Sequence, residues 1–253
     1  MKRTGLALWL PLALVGLWQF LTSIRWLDPL FFPAPSTLIS SAWQMLRQGE
    51  LVDQTRYTLV RMFIGFLAGS SAGLLCGLVM GSISSVERSL EPLISAIYST
   101  PNLTLLPMLM MFFGVGDTAG IVLIATGCFI LVAVHALDAV RRVNHTYVEL
   151  AANYGANRAA ILRRVYFPAC LPGIFTGMRL AVGRALIIAV SVELVSPRNG
   201  LGSMIWLAWQ TLATEKLYVG VITAAFLGLL FSATLRALEA RLIPWGDRPG
   251  SFK

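Results

Sequence analysis

Six long apolar runs, at residues 5–22, 58–81, 91–113, 119–140, 173–195 and 217–238, dominate this chain of 253 residues. About 20 apolar residues wound as a helix cross the hydrocarbon core of a bilayer. Inside lipid the backbone finds no water, so a lone apolar run must satisfy its own N–H and C=O groups by helical bonding. The dyad alternation of a membrane barrel is absent. The expectation is an all-α integral membrane protein with six transmembrane helices in a single domain over 1–253, its first span peripheral to a core of spans within 58–238.

Composition excludes the alternatives. Hydrophobic residues are 57% of the chain, charged residues only 13%, and the mean hydropathy is +0.73. A soluble domain usually carries nearly twice that charge. The net charge of +8 comes mostly from arginines scattered between apolar runs. No basic tract or nucleic-acid motif accompanies them, so no nucleic-acid partner is expected. Positive cytoplasmic loops explain the charge more simply.

The N-terminal Met1, Lys2, Arg3 and the run after them resemble a signal peptide, but no small-x-small cleavage site follows at Thr22, Ser23, Ile24. It reads as an uncleaved span. With the N-terminus inside, the cytoplasmic pieces hold twelve basic residues: Lys2, Arg3, Arg88, Arg141, Arg142, Arg158, Arg163, Arg164, Arg236, Arg241, Arg248 and Lys253. The outer pieces hold six: Arg25, Arg47, Arg56, Arg61, Arg198 and Lys216. Both termini are therefore expected in the cytoplasm. Outside the membrane, residues 23–57 carry an amphipathic stretch near residues 38–46. Residues 201–214, with Ile205, Trp206 and Trp209, are too short to span and are expected at the outer interface.

Two spans carry patterns. In the second, Gly65, Gly69, Gly73, Gly77 and Gly81 recur every four residues. On a helix they form a groove, and in lipid such small-residue faces let backbones approach closely. They are expected to be helix-packing residues, with Ala68 and Ala72 widening the groove. In the third, Pro101 and Pro107 break the helix around Asn102 and Thr104. Broken polar helices at membrane depth commonly line translocation pathways. Pro101, Asn102, Thr104 and Pro107 are the pathway candidates, joined by Glu193 near the outer end of the fifth span.

Catalysis finds no support. None of the three lysines follows a glycine in a phosphate-binding Gly-Lys-Ser/Thr setting. His145 and Glu149 lack a third metal ligand, and His135 lies elsewhere, so no metal is expected. Cys76, Cys128 and Cys170 read as small buried hydrophobes. Ion-coupled transport needs charges within the membrane. Here Asp138, Arg179, Arg184 and Glu193 all read as close enough to helix ends to snorkel.

Residues 141–172 are too charged to cross, and their apolar positions recur at helical spacing. Gly155 is expected to divide them into two short helices joined by a turn, held near the membrane by spans on both sides. Glu149, Leu150, Ala151, Ala152, Asn153, Tyr154 and Gly155, nine residues, and then Val165, Tyr166, Phe167 and Pro168 resemble the EAA signature of ABC-importer permeases. Leu150, Val165 and Phe167 stand where that signature has Ala, Ile and Leu. Further similarity runs along the chain in order: Pro33, Ala34, Pro35 and Ser36; Glu91, Pro92 and Leu93; Phe113, Gly114, Val115 and Gly116; Gly177, Met178 and Arg179; Gly200, Leu201 and Gly202. These resemble the nitrate/taurine/alkanesulfonate branch of the type I permeases, although Thr118, Ala119 and Gly120 depart from its Ser-Lys.

The resemblance implies a permease, itself without a cofactor, that forms the path for a small solute. The cargo implied is an organosulfonate or nitrate, with a thiamine-precursor pyrimidine as the alternative and an ion-coupled carrier as the rival class. It implies a second permease copy in a homodimer, two cytoplasmic ATPase subunits holding ATP-Mg, and an external solute-binding protein, all at a bacterial inner membrane. A coupling helix between spans four and five, with Glu149, Ala151, Ala152, Gly155, Ala156, Arg158, Val165 and Pro168, is implied to meet the ATPase.

Overall fold

The computed structural model describes residues 2–243, of which residues 2–8 and 158 are described by backbone alone. Arg248 and Lys253, counted above for orientation, lie outside the described residues, as do the side chains of Lys2, Arg3 and Arg158. Helices, with no strand among the described residues, follow the apolar runs: α1 (Lys2–Ser23), α2 (Pro35–Arg47), α3 (Glu50–Ser82), α4 (Ser84–Ser99), α5 (Leu106–Phe113), α6 (Asp117–Arg141), α7 (His145–Asn153), α8 (Arg158–Ile161), α9 (Phe167–Val195), α10 (Leu201–Gln210) and α11 (Thr214–Leu242). Among the described residues, α3, α6 and α11 are long and apolar enough to cross a membrane, and the bent pair α4–α5 makes a fourth if taken as one span.

The third apolar run is indeed broken, but at one place. A 3-10 turn (Asn102–Leu105) joins α4 to α5, and the two arms differ in direction by 96°. Pro101 causes the break: it lacks an N–H, and it forces Thr100 into extended backbone. Pro107 does not interrupt anything. It sits in the first turn of α5, where a missing N–H costs nothing.

Contacts divide the chain into two compact units. One holds residues 1–59 and 193–226. Within it Trp18 packs on Tyr218 with ring centroids 5.7 Å apart, and the Tyr218 hydroxyl donates to the Phe31 carbonyl at 3.2 Å. Lys216 bridges to Glu50 at 2.9 Å. A Cβ on Gly220 would meet Ile205 at 2.7 Å, so α11 lies close on α10. The first turn of α10, Leu201 to Met204, is wholly buried, while Leu207 and Trp209 are exposed. Its N-terminal amides are satisfied inside the protein, as the next subsection describes.

The other unit holds residues 60–192 and 227–253, described to Ile243. Its centre is α6, where Ala119, Leu123, Ile124, Cys128, Val132, Ala133 and Ala136 are at most 1% exposed. The five glycines of the second apolar run all lie against α6. A Cβ on Gly65 would meet Ile124 at 2.7 Å and one on Gly81 would meet Val140 at 2.6 Å. Those on Gly69, Gly73 and Gly77 would strike the backbone of Ala125, Phe129 and Ala133. Close helix approach at small residues is how lipid-embedded helices gain van der Waals contact without a hydrophobic force. Ala68 and Ala72, expected to widen the groove, are exposed and off the contact. On the opposite side Gly173 and Gly177 admit Ala139 and His135 of α6. Cys128 and Cys170 are buried and Cys76 is half-buried, all with free thiols. Large apolar side chains such as Leu67, Leu75, Ile187 and Leu229 are more than half exposed, which water would penalise and hydrocarbon does not.

Candidate functional site: a helix–turn–helix, a broken span and a buried carboxylate

The segment after α6 begins with a cap. Asn144 stands in extended backbone and its side chain accepts the Thr146 amide at 2.9 Å, starting α7. The helix ends in a Schellman motif: the Gly155 amide donates to Ala152 O at 2.9 Å and the Ala156 amide to Ala151 O at 3.0 Å. Gly155 has φ +78°, the left-handed conformation that a Cβ disfavours. The Ala–Ala–x–x–Gly part of the signature thus encodes a helix stop. Asn157 then caps the next helix through the Ala160 amide at 2.8 Å.

Two short helices on either side of a turn were expected. The second is not separate. α8 runs through a single π-helical turn (Leu162–Tyr166) into α9. Pro168 supplies the reason. Its ring crowds the carbonyl four residues earlier and offers no amide, and a widened turn, with the Phe167 amide reaching Leu162 O, accommodates both. From residue 158 to Val195 the elements follow one another without an intervening loop.

Val148 on one arm and Val165 and Tyr166 on the other pack on the cluster of Ala136, Val140, Val143, Cys170 and Ile174. That contact fixes the segment to the ends of α6 and α9. The remaining surface is open: α7 has no buried residue, Tyr154 is 89% exposed, and Tyr147, Leu150 and Leu162 are also exposed. Glu149 and Ala152 point outward, while Ala151 and Ala156 are partly covered. The open surface is therefore aromatic as well as aliphatic.

At the break, Pro101, Thr104 and Pro107 are exposed, with the Thr104 hydroxyl returned to Pro101 O at 2.6 Å. Asn102 is buried and accepts from Arg184 at 3.4 Å. Arg184 approaches the Tyr98 ring at 6.0 Å. Local sequence around Arg184 gave no sign of this convergence of α4, the 3-10 turn and α9.

Glu193, expected in the pathway, is 2% exposed and is the hub of a polar clasp. Its carboxylate accepts from the Thr58 hydroxyl at 2.8 Å and from the Gly202 amide at 3.0 Å. Thr58 Oγ1 in turn accepts the Leu201 amide at 2.8 Å, and Gln54 accepts the Gly200 amide at 2.6 Å. Three consecutive amides at the start of α10, which no helix satisfies internally, are thereby answered. Gly200, at φ +115°, lies where a Cβ would collide with the Glu193 carboxylate. Sequence reasoning missed Thr58, Gln54 and Gly200 because their partners are more than 140 positions away in the chain for two of the three bonds. No group of three metal-ligating side chains occurs among the described residues.

Long apolar helices packed through small residues, a kinked span and an exposed helix–turn–helix define an integral, multi-pass membrane permease. The chain belongs to the family of inner membrane components of binding-protein-dependent transport systems, whose model matches residues 69–244. It is a permease subunit of an ABC importer in the inner membrane. It is similar to the taurine transport system permease protein of Escherichia coli, 32% identical over 92% of this chain and 86% of that one. The putative aliphatic sulfonates transport permease of Bacillus subtilis is 30% identical over 96% and 89%. The riboflavin transport system permease of Chloroflexus aurantiacus is 30% identical over 94% and 90%. Among solved structures, an amino acid ABC transporter with histidines aligns at a TM-score of 0.63, with 20% identity, over 80% of this chain and 97% of that chain. An inward-facing methionine ABC transporter aligns at 0.58, with 21% identity, over 71% and 92%. Those two likenesses concern the fold.

Proposed function

We propose that this permease carries a small organosulfonate, such as taurine or an alkanesulfonate, with nitrate as a related cargo. The observation that supports the cargo is the similarity, over nearly the whole chain, to taurine and aliphatic sulfonate permeases. The 30% identity to a riboflavin permease favours a second reading, a neutral heterocycle of the vitamin-precursor kind.

In this proposal the single transmembrane domain crosses the bilayer six times, through α1, α3, the bent pair, α6, α9 and α11, with both termini in the cytoplasm. Two copies form the path, and two cytoplasmic ATPase subunits bind and hydrolyse ATP-Mg. An external solute-binding protein delivers the cargo. The exposed face of residues 149–168 meets the ATPase. Its fixed Schellman turn and the continuous arm into α9 support a coupling role, because motion applied at the turn passes through the arm beginning at residue 158 into the membrane. Glu149, Ala151, Ala152, Ala156, Arg158, Val165 and Pro168 belong to this coupling surface or its support. The break at Pro101 and Asn102, with Thr104 and Pro107 beyond it, lines the path. Glu193 positions the outer end of α9 against α10.

The test is reconstitution with the neighbouring ATPase and solute-binding protein in liposomes, followed by uptake of labelled taurine. ATP-dependent uptake is expected. Uptake by the chain alone under an ion gradient would overturn the proposal and favour a secondary carrier. Gly155→Leu and Ala151→Leu are expected to leave the chain in the membrane, retain ATP hydrolysis and lose uptake. Wild-type uptake in both variants would remove the coupling role.

A further inference from the structure

Helix α9 carries three charged side chains between Gly177 and its outer end: Arg179, Arg184 and Glu193. Two are answered by the protein. Arg179 pairs with Glu239 at 2.8 Å, and Glu193 sits in its clasp. Arg184 differs. Its guanidinium has the Asn102 amide oxygen at 3.4 Å and the Tyr98 ring at 6.0 Å, both at the outer limit of such contacts. No carboxylate among the described residues lies within ion-pair range of it.

With α9 as the fifth span of the proposed topology, Arg184 lies far from both helix ends and not, as its sequence position suggested, within snorkelling reach of one. At 1.5 Å per residue Arg184 lies about 26 Å along α9 from Phe167 and about 17 Å from Val195. A guanidinium stays charged at any physiological pH. A charge at such depth must face protein, water or a ligand that compensates it. Arg184 is only partly covered, so its free donors are reachable. Beside it, Asn102 is 7% exposed, and its amide nitrogen has no hydrogen-bond acceptor among the described residues. The two groups meet at the 96° break of the third span, where the backbone already departs from a packed helix. Gly127 makes room for them: a Cβ there would meet the Asn102 amide nitrogen and Ile188 at 2.5 Å. The cluster thus presents a fixed positive charge and spare N–H donors, oriented by an amide oxygen and an aromatic ring. It carries no negative charge.

We propose that Arg184, positioned by Asn102 and Tyr98, contacts the oxyanion headgroup of the cargo as it passes the break in the third span. An oxyanion with several oxygens accepts from the guanidinium fork in a way a neutral solute does not. This deepens the sulfonate reading and rests on it for the identity of the cargo, whereas the anion preference stands on the cluster itself.

The test uses the permease copurified with its ATPase. Its thermal unfolding is followed with methanesulfonate and with dimethyl sulfone, a neutral molecule of nearly the same shape, at matched ionic strength. Methanesulfonate is expected to raise the melting temperature above dimethyl sulfone. Arg184→Gln is expected to abolish that difference and to lower ATP-driven taurine uptake roughly tenfold or more. Arg184→Lys keeps part of both. Asn102→Asp is the sharper variant. Its carboxylate pairs with Arg184 inside the protein, so the chain folds, yet the anion effect and the uptake are lost. The proposal is overturned if the wild type shows no preference for methanesulfonate. It is also overturned if Arg184→Gln or Asn102→Asp retains the preference. If the preference depends on Arg184 while the wild-type transporter imports no sulfonate, the anion site stands and the sulfonate cargo falls.

Discussion

Glu193 and Arg184 lie nine residues apart on one helix, and the protein treats them in opposite ways. The carboxylate is 2% exposed and bonded to Thr58 and the start of α10. The guanidinium is partly open, with one long hydrogen bond and a distant ring. A buried charge with every neighbour aligned behaves as structure, because removing it strands its partners. A charge left partly unanswered contributes little to holding the fold, and its cost is justified only by what it meets. The two sites therefore differ in satisfaction as well as in sign and exposure.

The largest expected effect tests the structural half of that contrast. Glu193→Ala leaves the Thr58 hydroxyl and the Gly202 amide without their acceptor and opens a void. A loss of roughly 3 kcal/mol in unfolding free energy is expected, read by thermal or denaturant unfolding in detergent. A loss below about 1 kcal/mol would put Glu193 in the same category as Arg184. Thr58→Val keeps the shape and removes the bridge between Glu193 and the Leu201 amide. Polar contacts between membrane helices average about 0.6 kcal/mol and reach about 1.7. Because this hydroxyl serves two partners, about 1.5 kcal/mol is expected by the same measurement.

Gly127→Ala pushes on the other site. The added methyl meets the ends of two flexible side chains and no backbone, so a cost of about 1 kcal/mol is expected. The same variant displaces Asn102, and its taurine uptake is expected to fall further than its stability. The smallest stability effect is assigned to Arg184→Gln. It forfeits one marginal hydrogen bond and relieves an uncompensated charge, so unfolding should shift by less than about 0.5 kcal/mol. Strong destabilisation by this change would erase the contrast with Glu193.

Much of this was legible in the chain itself. The helices of the fold follow the apolar runs, because in lipid an apolar run has only helical bonding available. The spacing of Gly65 to Gly81 identified a packing face, since residues four apart share one side of a helix. Gly155 was readable as a turn, because the signature around it places a glycine where a helix needs a left-handed stop. Other features were not legible. Two prolines in the third run look equivalent, yet one breaks a helix and the other begins one, which depends on where the neighbouring turn starts. Ala68 and Ala72 look like part of the glycine groove but face away from α6. The acceptors of the first amides of the 201–210 segment are not legible either, because Gln54 and Thr58 come from far away in the chain.

By itself, then, the sequence determined the solvent, the helical class, the packing face of α3 and the helix–turn–helix with its family signature. All of these rest on patterns repeated within a few residues. The tertiary structure alone decided that α6 is the helix those glycines receive, and that Glu193 is a clasp for α10. It alone left Arg184 short of a partner beside Asn102. The physical reason is reach. Periodicity and capping are local, whereas satisfaction of a buried charge depends on groups brought from distant parts of the chain, Thr58 to Glu193 across 135 positions and Asn102 to Arg184 across 82.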